Sequence, residues 1–301
     1  MHKYLRSIGF SEVHNTRELK SILKQVVKYP DGRQYVSGPY GDIAVEFRKN
    51  FLDSAGIVVC GEYEDDTEFN YEYYFPYFKS PNVSSSEEIS VERHAEKESY
   101  AGICDDLKVG VSLIFYLINR MDYMRFRMKD PDYGYDDYRL PDKTTVNLSG
   151  LALSGSIMLP IRKDPEQVQT VKARERDRKE LLVAARAGDE DAIESLTLED
   201  IDTYSVISRR IRNEDVFTLV DSYFMPYGIE CDQYSVLGEI VKYRTVMNEL
   251  TNELVYIITL NCNDLIFDIC INRKDLLGEP KLNRRFKGTV WMQGFLSLPE
   301  R

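Results

Sequence analysis

Two strand-rich stretches of the sequence carry the same landmarks in the same order, and this recurrence limits the folds open to the chain more than any other feature. Gly155-Ser-Ile-Met-Leu-Pro160 answers Gly294-Phe-Leu-Ser-Leu-Pro299: a glycine, three residues, then Leu-Pro. Upstream, Tyr74-Phe-Pro-Tyr77 answers Tyr223-Phe-Met-Pro-Tyr227, and Ser99-Tyr100 answers Gln233-Tyr234. Leu113-Ile-Phe-Tyr-Leu-Ile-Asn119 answers Val255-Tyr-Ile-Ile-Thr-Leu-Asn261, and each asparagine is followed by an aspartate, Asp122 or Asp264. The shared order points to an ancestral duplication of an antiparallel unit; the alternative is two unrelated meanders. Two copies of this length make no solenoid. Each sheet has one apolar face, which must be covered by the other unit or by helices.

The pattern of elements fits that frame. Asn15 and Thr16 cap a helix over 15–29, with Leu19, Ile22, Leu23 and Val26 as its apolar stripe and Pro30-Asp-Gly32 as its stop. Strands are expected over 42–48, 56–63 and 69–78, where Pro76 marks an edge or a strand end. Further strands are expected over 98–107, 111–118 and 123–128, the last two joined as a hairpin through Asn119-Arg-Met-Asp122, and over 144–159. Residues 164–213 are rich in Arg, Glu, Ala and Leu and read as helical, with Thr197-Leu-Glu-Asp200 as a helix start. Strands return over 234–243, 254–261, 265–272 and 285–298. The fold class is therefore α+β: two similar antiparallel β-rich units with the intervening helical segment packed on them. The corresponding division is an N-terminal α+β unit over 1–162, a helical connector over 163–220 and a C-terminal β-rich unit over 221–301.

Composition closes off some function classes. A formal charge of −11 argues against general affinity for nucleic acid or anionic membrane, both of which select basic surface. The longest apolar stretch, 109–118, is too short to span a bilayer. The opening MHKYLRSIGF is too polar for a secretory leader. Five scattered cysteines without a CxxC pair fit reduced, buried thiols, and together these features give a cytoplasmic protein with no membrane segment.

No recognised catalytic motif is present. The three histidines (His2, His14, His94) have no second ligand at metal spacing, and there is no phosphate loop, nucleophile elbow or HExxH. No metal and no cofactor is expected. Three features remain as a candidate binding surface. Tyr71, Tyr73, Phe75 and Tyr77 are spaced by two and share one strand face, suited to stacking if exposed and to packing if covered. Lys281, Arg284, Arg285 and Lys287 form a basic cluster in an acidic chain, fit for a phosphate or a partner, or for pairing with nearby acids. Trp291 is the only tryptophan, and Ala152 stands at its place in the first copy.

The opening MHKYLRSIGF, the segment Leu196-Thr-Leu-Glu-Asp-Ile-Asp202 and the run Gly278-Glu-Pro280, Arg285-Phe-Lys-Gly288 and Trp291-Met-Gln-Gly294 together resemble an uncharacterised bacterial domain-of-unknown-function family, number 3881 of that series, over essentially the whole chain. The resemblance implies a cytoplasmic bacterial protein and brings no activity or site residues. The leading functional reading is a non-enzymatic binding or scaffold protein, with another protein as partner. The alternative is an enzyme of unrecognised class, a hydrolase-type site between the units using Asp105, Asp106, Glu239, Tyr100 and Tyr234. Nucleotide or nucleic-acid binding through the basic cluster ranks last.

Overall fold

Five long strands, largely buried on both faces, close into a barrel where the first of them pairs with the last. The computed structural model describes residues 1–37, 43–64, 68–93, 99–106, 112–128, 140–161, 177–178, 180–185, 187–210 and 216–299. Its first sheet is an antiparallel meander of β1 (Gly32–Ser37), β2 (Ile43–Leu52), β3 (Ala55–Glu64) and β4 (Glu68–Phe78). The second sheet contains β5 (Ile89–Arg93), β6 (Tyr100–Cys104), β7 (Leu113–Leu117), β8 (Thr145–Met158), β9 (Tyr223–Pro226), β10 (Gln233–Met247), β11 (Leu254–Cys262), β12 (Leu265–Asn272), β13 (Leu276–Leu277) and β14 (Arg285–Ser297). The α-helices are α1 (Thr16–Lys28), α2 (Arg120–Met128), α3 (Glu190–Arg210) and the short α4 (Val216–Leu219).

The ring runs β8, β12, β11, β10, β14 and back to β8. The β12–β8 pairing is parallel, Asp268 opposite Ser149, and the other four pairings are antiparallel. Inward residues such as Leu148, Ala152, Val236, Ile258, Leu260, Phe267, Ile269, Val290 and Met292 fill the interior with apolar side chains. Outward positions on the same strands, Leu151, Val255, Ile257, Cys270 and Trp291, form a second core. That core is completed by Tyr4, Leu5 and Ile8 of a 3-10 helix (Lys3–Ile8), by α1 and by the four-stranded sheet. β7 runs parallel to the end of β14, Gln293 opposite Tyr116, and carries β6 and β5 beyond it.

Most expected strands appear, as does α1, whose Asn15 side chain accepts from the Glu18 amide at 2.8 Å. Three expectations are corrected. Residues 123–128 are helical, in α2. Asn119 redirects the chain there: its carbonyl accepts from the Asp122 and Tyr123 amides, while its side chain bonds both main-chain groups of Leu296. Because β7 lies parallel to β14, no hairpin partner follows it. Thr197–Asp200 lies within α3 rather than at a helix start. Among the described side chains of α3, Ala192 is buried while Ile193, Leu198 and Ile201 are exposed; the outward face of the barrel is covered by the N-terminal elements, and of the expected connector α4 lies against β14. Of the expected connector over 163–220, residues 163–176, 179, 186 and 211–215 lie outside the described residues.

The two matched stretches do not fold into plainly similar bodies; the result is a five-stranded barrel beside a four-stranded sheet. Tyr74–Tyr77 lies in the four-stranded sheet, whereas Tyr223–Pro226 pairs with β10. Asp122 sits in a helix and Asp264 in a left-handed turn with φ 63°. Among the described residues no helix is long and apolar enough to cross a membrane.

Candidate functional site

On the outward face of the barrel, where an apolar surface would suffice for packing, β8, β12 and β14 bury polar side chains instead. Each serves the segment in which β4 leaves its sheet and whose backbone groups need partners. Gln293 accepts from the Phe78 amide at 3.0 Å and donates to the Pro76 carbonyl at 2.8 Å. Ser149 donates to the Phe78 carbonyl at 2.5 Å, and Asn147 Nδ2 to the Ser80 carbonyl at 3.0 Å. The buried Asp268 carboxylate accepts from Ser80 Oγ at 2.8 Å, Asn82 Nδ2 at 3.1 Å and Thr259 Oγ1 at 2.5 Å.

At the rim of this seam lies an open pocket of about 420 Å³, bordered by Ser54, Lys79, Pro81, Asn147, Phe295 and Ser297. Lys79 enters at the end of β4, anchored by its own amide on the Ser54 carbonyl at 2.8 Å. Its ammonium lies 3.6 Å from the centroid of the Phe295 ring, a cation–π contact. Among the described residues it forms no ion pair. Partial burial, with the Arg48 guanidinium adding to it and Asp122 opposing, holds its pKa below the usual lysine value. Asn147 is 8% exposed, and its Oδ1 is buried with no hydrogen-bond partner. An unmatched acceptor of this kind is costly, and a ligand donor would relieve the cost. The pocket thus offers a cation and an aromatic face, with the Asn147 acceptor enclosed in its wall, a set that suits a small anion whose O–H or N–H reaches that acceptor.

The expected binding surface is dispersed and largely consumed by folding. Arg285 donates to the carbonyls of Leu159 (3.1 Å), Phe217 (2.8 Å) and Val220 (2.9 Å), so it closes α4 onto β14. Lys287 lies 4.0 Å from the Phe217 ring centroid, and Arg284 donates to the Glu279 carbonyl within its own turn. Lys281 is exposed. Phe75 and Tyr77 are buried under the barrel, Phe75 against Tyr116, while Tyr73 is half-buried and Tyr71 exposed. A bulge after Tyr71 interrupts the ladder's register. Trp291 is buried, stacked on Tyr4 at 5.1 Å, and its indole N–H donates to Asp232 at 2.7 Å.

The carboxylate–tyrosine set is spread along several elements. Asp105 accepts from Ser112, the Tyr234 hydroxyl is bonded to the Ile114 main chain, and the Tyr100 ring packs on Tyr123. Among the described residues no cluster of three or more His, Cys, Asp or Glu could hold a metal ion. Lys79, Asn147 and Phe295 were not singled out from sequence. One signal was available: Asn147 and Ser149 lie two apart on the same face of a strand, within a stretch, 146–153, that has no other polar side chain.

Comparison with known proteins adds a family without a chemistry. The family model described as "Domain of unknown function, E. rectale Gene description (DUF3881)" matches residues 5–294. No curated protein and no solved structure matches the chain.

Proposed function

The chain belongs to that family of unknown function, and from this premise we propose that it is a non-enzymatic binding protein whose ligand occupies the pocket between β4, β8 and β14. The observation that carries the reading is the pairing of the Lys79 ammonium, which has an aromatic ring and no carboxylate, with the buried, unmatched Oδ1 of Asn147. The ligand is a small anion that also carries a hydroxyl or N–H donor. Anion binding needs Lys79 charged, so affinity falls as pH rises through its lowered pKa, below the ordinary 10.5.

Calorimetry with four probes tests this: inorganic phosphate and malate, which carry a donor, and sulfate and succinate, which do not. Phosphate and malate are expected to bind more tightly than sulfate and succinate, and Lys79→Met is expected to abolish binding while leaving the thermal midpoint within a few degrees. Equal affinity for all four probes, no binding by any, or unchanged binding in Lys79→Met overturns the proposal.

The same reading keeps the protein cytoplasmic and bacterial, in line with five cysteines that form no disulfide and the family to which it belongs. It also retains a duplicated origin for 1–162 and 221–301, joined by 163–220. Support comes from strand order. The meander β5–β6–β7 precedes the long β8, the meander β10–β11–β12 precedes the long β14, and β8 and β14 pair with each other. Each long strand runs parallel to the last strand of the other meander. On this matching β7 corresponds to β12, not to β11 as the sequence landmarks suggest.

A further inference from the structure

We infer that the second half of β10, Val241–Met247, is a docking edge for an extended segment of another protein that alternates acidic with apolar residues. The first half of β10 is held on both sides, by β14 and by β9. β14 ends its pairing where Arg285 meets Glu239, and the last contacts from that side are Ile240 N–H to the Arg284 carbonyl (2.7 Å) and Asn283 N–H to the Ile240 carbonyl (3.0 Å). Beyond a bulge at Val241, the strand pairs with β11 alone, from Lys242 opposite Thr259 to Met247 opposite Leu254. Among the described residues nothing pairs with its other edge.

That edge is open to solvent: Val241 is 42% exposed, Tyr243 40% and Met247 55%. A row of unpaired backbone donors and acceptors of this length is a template for strand addition. The side chains specify the incoming strand. Lys242, Arg244 and Val246 point to one face; Tyr243, Thr245 and Met247 point to the other. Asp53 binds Arg244 at 2.8 Å, while Lys242 has no ion pair among the described residues. A strand laid alongside meets a cation on one face and an aromatic ring with a thioether on the other, so acidic and apolar residues in alternation match it. A second copy fits less well: two-fold pairing about Arg244 sets that guanidinium against its own symmetry mate. On a molecule with a net charge of −11, Lys242 is a cation that no carboxylate among the described residues offsets.

The test is hydrogen exchange by mass spectrometry on the full chain with a capped peptide, Glu-Val-Glu-Val-Glu-Val-Glu, and the same peptide with lysine for glutamate. The acidic peptide is expected to slow exchange over 241–247, the lysine peptide is not, and Lys242→Glu is expected to weaken the effect by about tenfold. No protection by the acidic peptide, equal protection by both peptides, or protection at 241–247 that grows with protein concentration in the absence of peptide overturns the proposal; the last outcome identifies a second copy as the occupant.

Discussion

Gly294 faces the ring of Phe115 where β14 meets β7, so closely that a β-carbon there would lie 2.3 Å from the ring. Its counterpart Gly155 stands in the same relation to Phe286, at 2.2 Å. Both contacts are with rings buried in the barrel core, which have no room to withdraw. Gly294→Ala is therefore expected to destabilise the fold by about 1–3 kcal/mol through overpacking. Pairing it with Phe115→Leu should return part of that loss. Urea denaturation of the single and double variants checks this; an unchanged midpoint in Gly294→Ala removes the steric account.

These glycines show how far the sequence reaches. Glycine followed by Leu-Pro was readable as close packing and then a strand end, and β8 and β14 stop at Met158 and Ser297, each just ahead of its Leu-Pro. That the two strands pair along their whole lengths was not readable, because pairing is decided by residues far apart in sequence. Met121, Tyr123 and Phe126 suit a short helix face or a strand equally, and the clamp of Asn119 on Leu296 decides between them. Arg285 looked like surface charge, yet its three carbonyl partners come from the ends of β8 and α4, distant in sequence. The pocket is hidden for the same reason. Lys79, Asn147 and Phe295 come from three strands, and only the polar spacing on β8 hints at it.

Arg120 and Glu46 form a buried ion pair that joins the four-stranded sheet to α2, Nε to Oε1 at 2.5 Å with both side chains about 3% exposed. The Tyr73 ring lies 5.3 Å from the guanidinium, and Cys60 Sγ lies 3.9 Å from the carboxylate. Removing one charge leaves the other buried without its opposite charge. Arg120→Met or Glu46→Leu alone is expected to cost about 3–5 kcal/mol, and the double replacement distinctly less. A double-mutant cycle read by chemical denaturation measures the coupling; additive losses would mean the pair is solvated.

Buried tyrosines set an alkaline limit on stability. Burial raises Tyr77 and Tyr234 from 10.0 to about 12, with the Tyr234 hydroxyl donating to the Ile114 carbonyl at 3.2 Å. Because the folded pKa is the higher, this contribution is complete below pH 10 and is lost as pH rises from 10 towards 12, where the unfolded chain ionises first. The urea midpoint should therefore fall steeply above pH 10, and Tyr234→Phe should flatten that fall. A midpoint independent of pH across this window would contradict the assignment.

The five thiols divide by exposure, and a thiol reagent reads that division directly. Cys60, Cys104, Cys262 and Cys270 are buried, while Cys231 is exposed. Burial pushes Cys104 up to about 11 and Cys262 to about 12, and raises Cys60 and Cys270 further, with the Glu46 charge adding to the effect at Cys60. Thiolate is the reactive form, so these four are protected by protonation as well as by lack of access. A disulfide reagent at neutral pH is expected to modify one thiol quickly and the rest only as the protein unfolds. Cys231→Ser should abolish the fast phase. Arg120→Met should then bring Cys60 into reach earlier than the other three, because the contact beside it is the one removed; simultaneous exposure of all four in that variant would place the loss of order in the whole fold, not at the joint between the four-stranded sheet and α2.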